Sequence, residues 1–419
     1  MKLNKIAALI AIAGLSTSAF ATNGYFSHGY GIKAKGMGGV GIALPQDSMA
    51  AATNPAGMVM VGNGMDFGVD WFRPIRGAEI VGGNLFGADG SYSGSDTKNF
   101  LIPEFGYNRM INPNLSLGVS VYGNGGMNSD YGDGIPLFGA GKAGVNLMQL
   151  FVAPTAAYKV APNHAIGVSL NLAYQRFSAD GLQNFIPASV SGANLTNRDN
   201  DTSKGVGFRI GYTGKLSDMV TVGATYQSKT KMSKFSKYKG LFAEGGDFDI
   251  PENYGVGIAV KATPALTVAF DVVEIKYSAI KAIANPLSNL TVLGNPLGSV
   301  NGPGFGWQDM TVYKLGFSYE YSKNLTLRAG YNHGKQPIPS SETLFNILAP
   351  GVVENHLTLG ATWTLANKDE ISVSYMHAFE NKVKGSASIP PGFPPGFGGG
   401  EANLKMKQDA LGISYSWKM

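Results

Sequence analysis

The 419-residue chain contains no cysteine. Exported soluble proteins of this size often carry disulfides, so the absence of cysteine slightly disfavours that class of protein. It also excludes thiolate nucleophiles and thiolate metal ligands. The five histidines are far apart in the sequence and show no metal-ligand spacing: His28, His164, His333, His356 and His377. The sequence therefore predicts no metal, no cofactor and no catalytic residue.

The chain also lacks a long apolar run. The run Ile6–Leu15 is shorter than the roughly 20 residues that a membrane helix needs. Lys2 and Lys5 precede this run, and the small-residue site Ala19–Ala21 follows it, which is the three-part pattern of a secretory signal peptide. We expect residues 1–21 to be a signal peptide that is removed on export; an uncleaved anchor is the alternative.

Charge is sparse as well. The formal net charge is +5, of which Lys2 and Lys5 contribute two, leaving +3 (5 − 2) on the mature chain. That charge is too small and too scattered for a nucleic-acid surface. Yet 44% of the residues are hydrophobic. The mature chain is therefore either a soluble β protein or a protein that crosses a membrane as strands, because only helices and closed barrels satisfy their backbone hydrogen bonds in lipid.

What the sequence does contain is an alternation with period two, from about residue 64 to the end. A clear example is the segment beginning at residue 164, where apolar and small or polar residues alternate: Ile166, Gly167, Val168, Ser169, Leu170, Asn171 and Leu172. Such alternation is typical of strands with one apolar face. In a soluble sandwich that face forms the core, and in a membrane barrel it faces lipid.

The lengths of the connections separate these two possibilities. Alternating segments begin near residues 64, 100, 115, 146, 164, 205, 219, 252, 265, 309, 324, 354, 369 and 405. Short turns alternate strictly with connections of roughly twenty to thirty residues, far above the usual hairpin loop. This rhythm is typical of outer-membrane barrels, which have tight periplasmic turns and long external loops. We therefore predict an all-β fold, a fourteen-stranded antiparallel transmembrane barrel over residues 64–419.

Aromatic residues near the strand ends fit interface girdles. The last strand carries Trp417, close to the terminal aromatic residue that the barrel insertion machinery recognises, although Lys418 and Met419 follow it. The expected partners are this machinery, outer-membrane lipid with lipopolysaccharide, and a hydrophobic small molecule. We expect a monomer in the bacterial outer membrane.

Residues 22–63 do not alternate and are rich in glycine and alanine. We expect Asp47 or Ser48 to cap a short helix over Met49–Thr53 and Pro55 to end it. Because a barrel of fourteen strands leaves an open lumen, we expect residues 22–63 to form a hatch that plugs it. An unstructured periplasmic tail is the alternative.

The same segment resembles the N-terminal hatch of the FadL/TodX family of outer-membrane transporters. The resemblance lies in Gly36–Gly39, in Pro45 with Asp47, and in Asn54, Pro55 and Ala56 followed by Gly57. It implies a fourteen-stranded barrel that passes hydrophobic compounds passively, either long-chain fatty acids or aromatic hydrocarbons. It also implies capture by the external loops, a pocket in the lumen, and release after the hatch shifts.

In this family, exit can be sideways through the wall where the third strand is kinked. Here that strand ends in Gly123, Asn124, Gly125 and Gly126, and glycine marks bends in strands. The alternative is that these glycines simply begin a loop. From the resemblance we expect Asn54, with its neighbours Pro55 and Ala56, to fasten the hatch to the kinked wall.

The resemblance also places Tyr25 and Phe26 at the ligand. Four cations face inward by alternation and are candidate partners for a carboxylate ligand: Arg209, Lys261, Lys314 and Arg328. Lumen acids such as Asp70, Glu104, Asp271 and Glu320 could instead neutralise them, and a neutral hydrocarbon would need no cation. The long loops are apolar, which favours either a binding surface or burial of the loops against each other.

Two other classes of function remain open from the residues alone. The long loops could bind a partner, as in an adhesin or receptor. An outer-membrane lipase or protease would need a Ser/His or Asp/His constellation at the rim, for which His333 and His377 are candidates.

Overall fold

The computed structural model describes residues 22–392 and 396–419. The predicted signal peptide, residues 1–21, lies outside the described residues. Within these ranges the chain forms one closed antiparallel barrel. Its fourteen strands, numbered β1 to β14 here, are Gly64–Val81, Phe100–Asn112, Leu115–Tyr131, Ala143–Ala161, His164–Asp180, Asp201–Lys215, Val220–Gln227, Asn253–Lys261, Leu266–Ile275, Met310–Ser322, Leu325–Gly334, Asn355–Thr364, Glu370–Val383 and Glu401–Lys418.

The barrel closes where β1 pairs with β14, in continuous register from Gly64 opposite Lys418 to Val81 opposite Glu401. Two short strands are added to the wall: Gly90–Ser93 pairs with β1, and Lys231–Met232 pairs with β6. The predicted strand number is confirmed, and the largest error in a predicted start is four residues, as at Asp201 for position 205. Hairpin register is set locally by alternation and turn chemistry, which is why it could be predicted so closely.

The apolar face of the strands points outward. On β5, Ile166 and Leu170 are 49% and 46% exposed, whereas Ser169 and Asn171, on either side of Leu170, are fully buried. A soluble sandwich would bury the apolar face, so this alternative is wrong. No helix among the described residues is long and apolar enough to cross a membrane.

Residues 22–63, called the N-terminal segment below, lie inside the barrel. Their helices are each a single turn: Ile32–Lys35, Ala50–Ala52, Pro55–Gly57 and Met58–Val61. The expected helix over Met49–Thr53 is only a 3-10 turn. Pro55 does not end it but starts the next turn, because proline at a first helical position needs no N–H partner and already has the right φ. Neither Asp47 nor Ser48 caps the Ala50–Ala52 turn, although Asp47 Oδ1 accepts a hydrogen bond from Met49 N. Asn54 caps the Pro55–Gly57 turn, since its side-chain oxygen accepts from Ala56 N.

The external loops fold over the outer end of the barrel and carry only short helical turns: Gln183–Ala188, Gly192–Asn194, Ser236–Tyr238, Ala243–Gly246, Tyr277–Ala279, Lys281–Ala284, Ser288–Thr291, Ser340–Glu342 and Thr343–Asn346. Their apolar side chains join one large buried cluster that continues into the lumen. Most of the apolar loop residues are therefore buried against each other, although Val190, Val292 and Leu293 remain exposed.

Candidate functional site: a fastened N-terminal segment and an apolar lumen

Asn54 fastens the N-terminal segment to the wall. Its Nδ2 donates to the Tyr212 carbonyl at 2.9 Å and to Ile42 O at 2.7 Å. The expectation that Asn54 binds the kinked third strand is wrong, because its partners in the wall, Tyr212 and Thr213, lie on β6. The wall there leaves room for the turn: a Cβ on Gly211 would lie 1.9 Å from Asn54 Oδ1, and a Cβ on Gly167 would lie 2.4 Å from the Pro55 carbonyl carbon.

Two lysines of the segment bind acidic residues of the lumen. Lys35 Nζ forms ion pairs with Asp70 and, at 2.9 Å, with Glu104, while Lys33 Nζ lies 2.6 Å from Glu370. Burial by itself would lower the pKa of Lys35, but the two carboxylates outweigh it and raise the pKa above its usual value. Lys35 is therefore charged, and its charge is compensated. These pairs were not predicted, although two lysines in a segment with one acidic residue were a visible signal.

Three of the four predicted lumen cations also hold the segment. Lys314 Nζ donates to His28 O at 3.0 Å, Arg209 donates to Thr53 O at 3.0 Å, and Arg328 donates to Gln46 Oε1 at 2.8 Å. The fourth, Lys261, has the same parity as the buried Ala259 but is exposed at the end of β8.

The acidic residues of the lumen play the matching part. Asp271 accepts backbone hydrogen bonds from Gly41 and Ile42 at 2.8 and 3.0 Å. Within the described chain, none of the four cations forms an ion pair with a carboxylate, so mutual neutralisation is not their arrangement. Glu320 is exposed. Charges of the lumen are used mainly to seat the segment.

The glycine-rich stretch of β3 contains a bulge. The register with β4 shifts between Gly123 and Gly125, which leaves Asn124 as the extra residue. Pairing resumes at Gly125 opposite Gln149 and continues with Gly126 opposite Met148. The strand continues to Tyr131. These residues are therefore part of the wall, and the alternative that they begin a loop is wrong.

Beside the bulge, the wall loses its backbone pairing. The ladder between β2 and β3 stops at Phe105 opposite Val121. The part of β2 from Phe100 to Glu104 pairs only with β1, on its other side. Further out, Ser95 bridges to Asp130 and closes the wall again. A break in pairing thus lies between β2 and β3, which is the place where the resemblance implied an opening.

The start of the N-terminal segment occupies the inner side of this break. Phe26 forms a bridge with Gly125, and Gly126 N donates to Tyr25 O at 3.0 Å. Gly125 is required for this approach, because a Cβ there would lie 2.4 Å from Tyr25 O. Tyr277 holds the same segment from the opposite side, since its hydroxyl donates to Asn23 O at 2.6 Å.

Two adjoining cavities lie on the external side of Tyr25. The outer one, the loop cleft, has a cavity volume of about 40 Å³ and lies between apolar loop side chains such as Phe185 and Phe345. The inner one, the lumen chamber, has a cavity volume of about 20 Å³ and is lined by Tyr25, Phe248 and Trp307. Four side chains line both cavities and so join them: Val145, Phe177, Phe242 and Phe305. No charged side chain of the described chain lines either cavity.

A third cavity lies on the other side of the same segment. Phe26 and Tyr30 line it together with Arg209, Lys314 and Asn253. Most of its lining is apolar, but it carries charged and amide groups that the chamber lacks, and it is called the polar cavity below. Tyr25 and Phe26 stack with ring centroids 5.2 Å apart and separate the two spaces. The structure thus places these two aromatic residues at the chamber boundary and the two cations behind it.

The rim histidines do not form a hydrolase site among the described residues. His377 Nδ1 lies 2.9 Å from Asp409 Oδ1 and His333 Nδ1 lies 2.8 Å from Asn355 Oδ1, but neither ring has a serine hydroxyl as a hydrogen-bond partner. The described chain also contains no group of three His, Asp or Glu residues that could hold a metal ion.

The sequence matches the family model described as outer membrane protein transport protein (OMPP1/FadL/TodX) over residues 9–410. The chain belongs to this family. Its members are outer-membrane transport proteins and not enzymes, which confirms the predicted localisation and removes the lipase alternative. No curated protein sequence matches the chain.

Solved structures with the same fold cover 94% of this chain and 99% of their own. They include the Pseudomonas putida toluene transporter TodX (18% identity, TM-score 0.69) and a Pseudomonas aeruginosa FadL homologue (15%, 0.73). The Ralstonia pickettii toluene transporter TbuX is similar at 17% identity and a TM-score of 0.64. At these identities the likeness shows the fold, a closed fourteen-stranded barrel.

Proposed function

We propose that this protein is a passive channel that takes small neutral hydrocarbons from outside the cell and releases them sideways into the outer membrane. The observation that carries the proposal is one continuous buried apolar cluster. It runs from the loop residue Phe185 through Phe177 and Trp307 to Phe26. It ends at Phe100 and Ile102, on the stretch of β2 that does not pair with β3. A hydrophobic passenger is stabilised by apolar surface along this whole course.

The lower lumen does not offer such a course. Beyond Tyr25 and Phe26 the N-terminal segment fills the barrel and is fastened by charged hydrogen bonds, including those of Arg209 and Lys314. An apolar molecule that entered there would have to displace polar contacts without replacing them, which is costly. The break between β2 and β3 is therefore the favoured exit, with the residues Tyr25 and Phe26 shifting to admit the passenger.

The outer face of the break also suits an apolar passenger. Outward residues elsewhere on the barrel are about half exposed. Around the break, four outward side chains are instead fully or almost fully buried: Met65, Phe105, Val121 and Leu150. These four side chains pack against one another on the outer face of the break. A passenger that displaced these side chains would keep apolar contacts on both sides of the break. It would then pass directly into lipid.

The chamber favours a neutral passenger over a carboxylate. An ionised carboxylate in an apolar cavity needs a charged or hydrogen-bonding partner. The lumen cations Arg209 and Lys314 already donate to carbonyls of the N-terminal segment and line the polar cavity instead. Aromatic rings such as those of Phe242, Phe248 and Trp307 give a neutral aromatic molecule stacking and edge contacts.

Binding to the purified full chain in detergent tests this proposal, with radiolabelled toluene compared with a radiolabelled long-chain fatty acid. Toluene should bind and the fatty acid should bind at least tenfold more weakly, and a strain that lacks the gene should take up toluene more slowly. If neither compound binds and the protein conducts ions in planar bilayers, the hydrophobic channel is wrong. Preferential binding of the fatty acid would instead contradict only the choice of a neutral passenger.

A further inference from the structure

We propose that the outer wall of β5 and β6 carries a binding site for a phosphorylated lipid of the outer leaflet, the lipid A part of lipopolysaccharide. The site consists of three cations, Arg176, Lys204 and Lys231, above an apolar wall. It lies outside the barrel and takes no part in the proposed transport route.

The three cations lie on the outward face near the external ends of neighbouring strands. Lys204 of β6 is opposite Tyr174 of β5, and Arg176 is opposite Thr202, one pair further out. The short strand Lys231–Met232 continues the wall beside β6, with Lys231 opposite Val206. Because outward side chains repeat at every second residue, these positions form a row across three adjacent strands.

Directly on the periplasmic side of this row, the same wall is entirely apolar. Its cross-strand pairs are Leu172 with Val206, Leu170 with Phe208, and Val168 with Ile210. Each of these six side chains is between 42% and 54% exposed. The wall therefore presents a cationic row at the level of lipid head groups and an apolar surface at the level of acyl chains, which is the polarity of a phosphorylated lipid.

The cations are available to a phosphate. Within the described chain, Arg176 and Lys204 form no ion pair. Lys231 Nζ lies 3.7 Å from Asp249 Oδ2, which is longer than a hydrogen bond, and its side chain is 75% exposed. Each can therefore donate to a phosphate oxygen, and the Arg176 guanidinium can do so with two N–H groups.

Another sector of the same rim carries the opposite charge. Around the external ends of β8 to β10, the rim carries Glu252, Glu274 and Asp309, with Lys276 already paired to Asp309. Carboxylates there would repel a phosphate. Anionic lipid is attracted to clusters of Lys and Arg at the membrane surface, so the lipid should have a preferred position around the barrel.

Native mass spectrometry of the full chain in detergent tests the site, with added diphosphoryl lipid A, its dephosphorylated form and inorganic phosphate as separate probes. The test variant is the triple change Arg176→Gln, Lys204→Gln and Lys231→Gln. The matched control is Arg73→Gln, Lys405→Gln and Lys407→Gln, which removes three outward cations of β1 and β14. Resistance of the folded barrel to unfolding in cold detergent confirms that both variants fold.

The triple variant should bind diphosphoryl lipid A at least tenfold more weakly than the unmodified chain, and the control should bind it as the unmodified chain does. The dephosphorylated lipid should bind weakly to all three proteins. Equal binding by the triple variant, or an equal loss in the control, would overturn the site. Tight binding of the dephosphorylated lipid would show an acyl groove without phosphate recognition, and saturation by inorganic phosphate alone would show a free-anion site; either result overturns the proposal.

Discussion

The outer and inner halves of the lumen are held together by opposite chemistry. On the external side of Tyr25, the loop cleft and the lumen chamber are bounded by apolar side chains that contact each other without charge. On the other side, the N-terminal segment is fastened by directed contacts such as those of Lys35 and Asn54. Apolar packing has no direction and can open for a passenger, whereas paired buried charges hold one arrangement. The comparison assigns binding to the outer half and closure to the inner half.

The largest effect should come from breaking the charged fastening. Lys35→Met leaves Asp70 and Glu104 as buried charges without their partner, which costs about 3–5 kcal/mol. We expect release of the N-terminal segment, seen as ion conductance in planar bilayers and as protease cleavage between residues 22 and 63. Lys261→Met, at an exposed lysine outside the lumen, is the control and should leave both unchanged. A closed, protected channel in the Lys35 variant would refute the role of the ion pairs.

A smaller effect should come from adding a side chain at Gly211, which contacts Asn54 in the wall. Gly211→Ala places a Cβ against Asn54 Oδ1, and overpacking of this kind typically costs about 1–3 kcal/mol. We expect slower toluene uptake and faster proteolysis of the N-terminal segment, with the barrel still folded.

A double-mutant cycle shows whether Gly211 acts through Asn54. Once Asn54→Ala has removed the side chain, the additional Gly211→Ala change should cost less than it does in the unmodified chain, because only the approach to Pro55 Cδ at 2.9 Å remains and contacting residues are not additive. Additive effects of the two changes would mean that Gly211 matters for another reason.

The apolar half should respond in binding and not in closure. Phe242→Leu removes a ring that lines both the loop cleft and the lumen chamber. Aromatic contacts contribute about 0.5–1.5 kcal/mol, so toluene affinity should fall several-fold, measured by equilibrium binding. Conductance should stay unchanged, and Phe208→Leu on the outer wall should change neither. A leaky Phe242 variant would contradict the division between the two halves.

The smallest effect should be a pH dependence of the fastening. Burial, and then the nearby Asp66, raise the pKa of Asp47 to about 7. A raised carboxyl pKa favours the protonated form in the seated state, so this contribution is lost as pH rises from about 4 through about 7. Asp47→Asn should therefore protect the N-terminal segment from protease better than Asp47 at pH 8, and equally at pH 4. No difference at pH 8 would contradict this.

The strands of the barrel wall could be predicted from the sequence much better than the contacts that hold the N-terminal segment in the lumen. Strands such as β5 were located because alternation and turn chemistry are local properties. The partners of Lys35 lie 35 and 69 residues away on two strands, and nothing local indicates them. Asn54 was assigned to the wrong wall for the same reason, since only the folded barrel brings Gly167 and Gly211 under its turn. The exposure of Lys261 could not be predicted, because parity gives the face of a strand but not how far a terminal side chain reaches into solvent.

Deletion of Asn124 tests the central claim most directly. Asn124 is the extra residue of β3, so its removal should straighten the strand and let it pair with β2. We expect the purified deletion variant still to bind toluene. Cells that carry the deletion should take up toluene as slowly as cells without the gene. Unchanged uptake with a straight, fully paired third strand would show that the passenger does not leave through the wall.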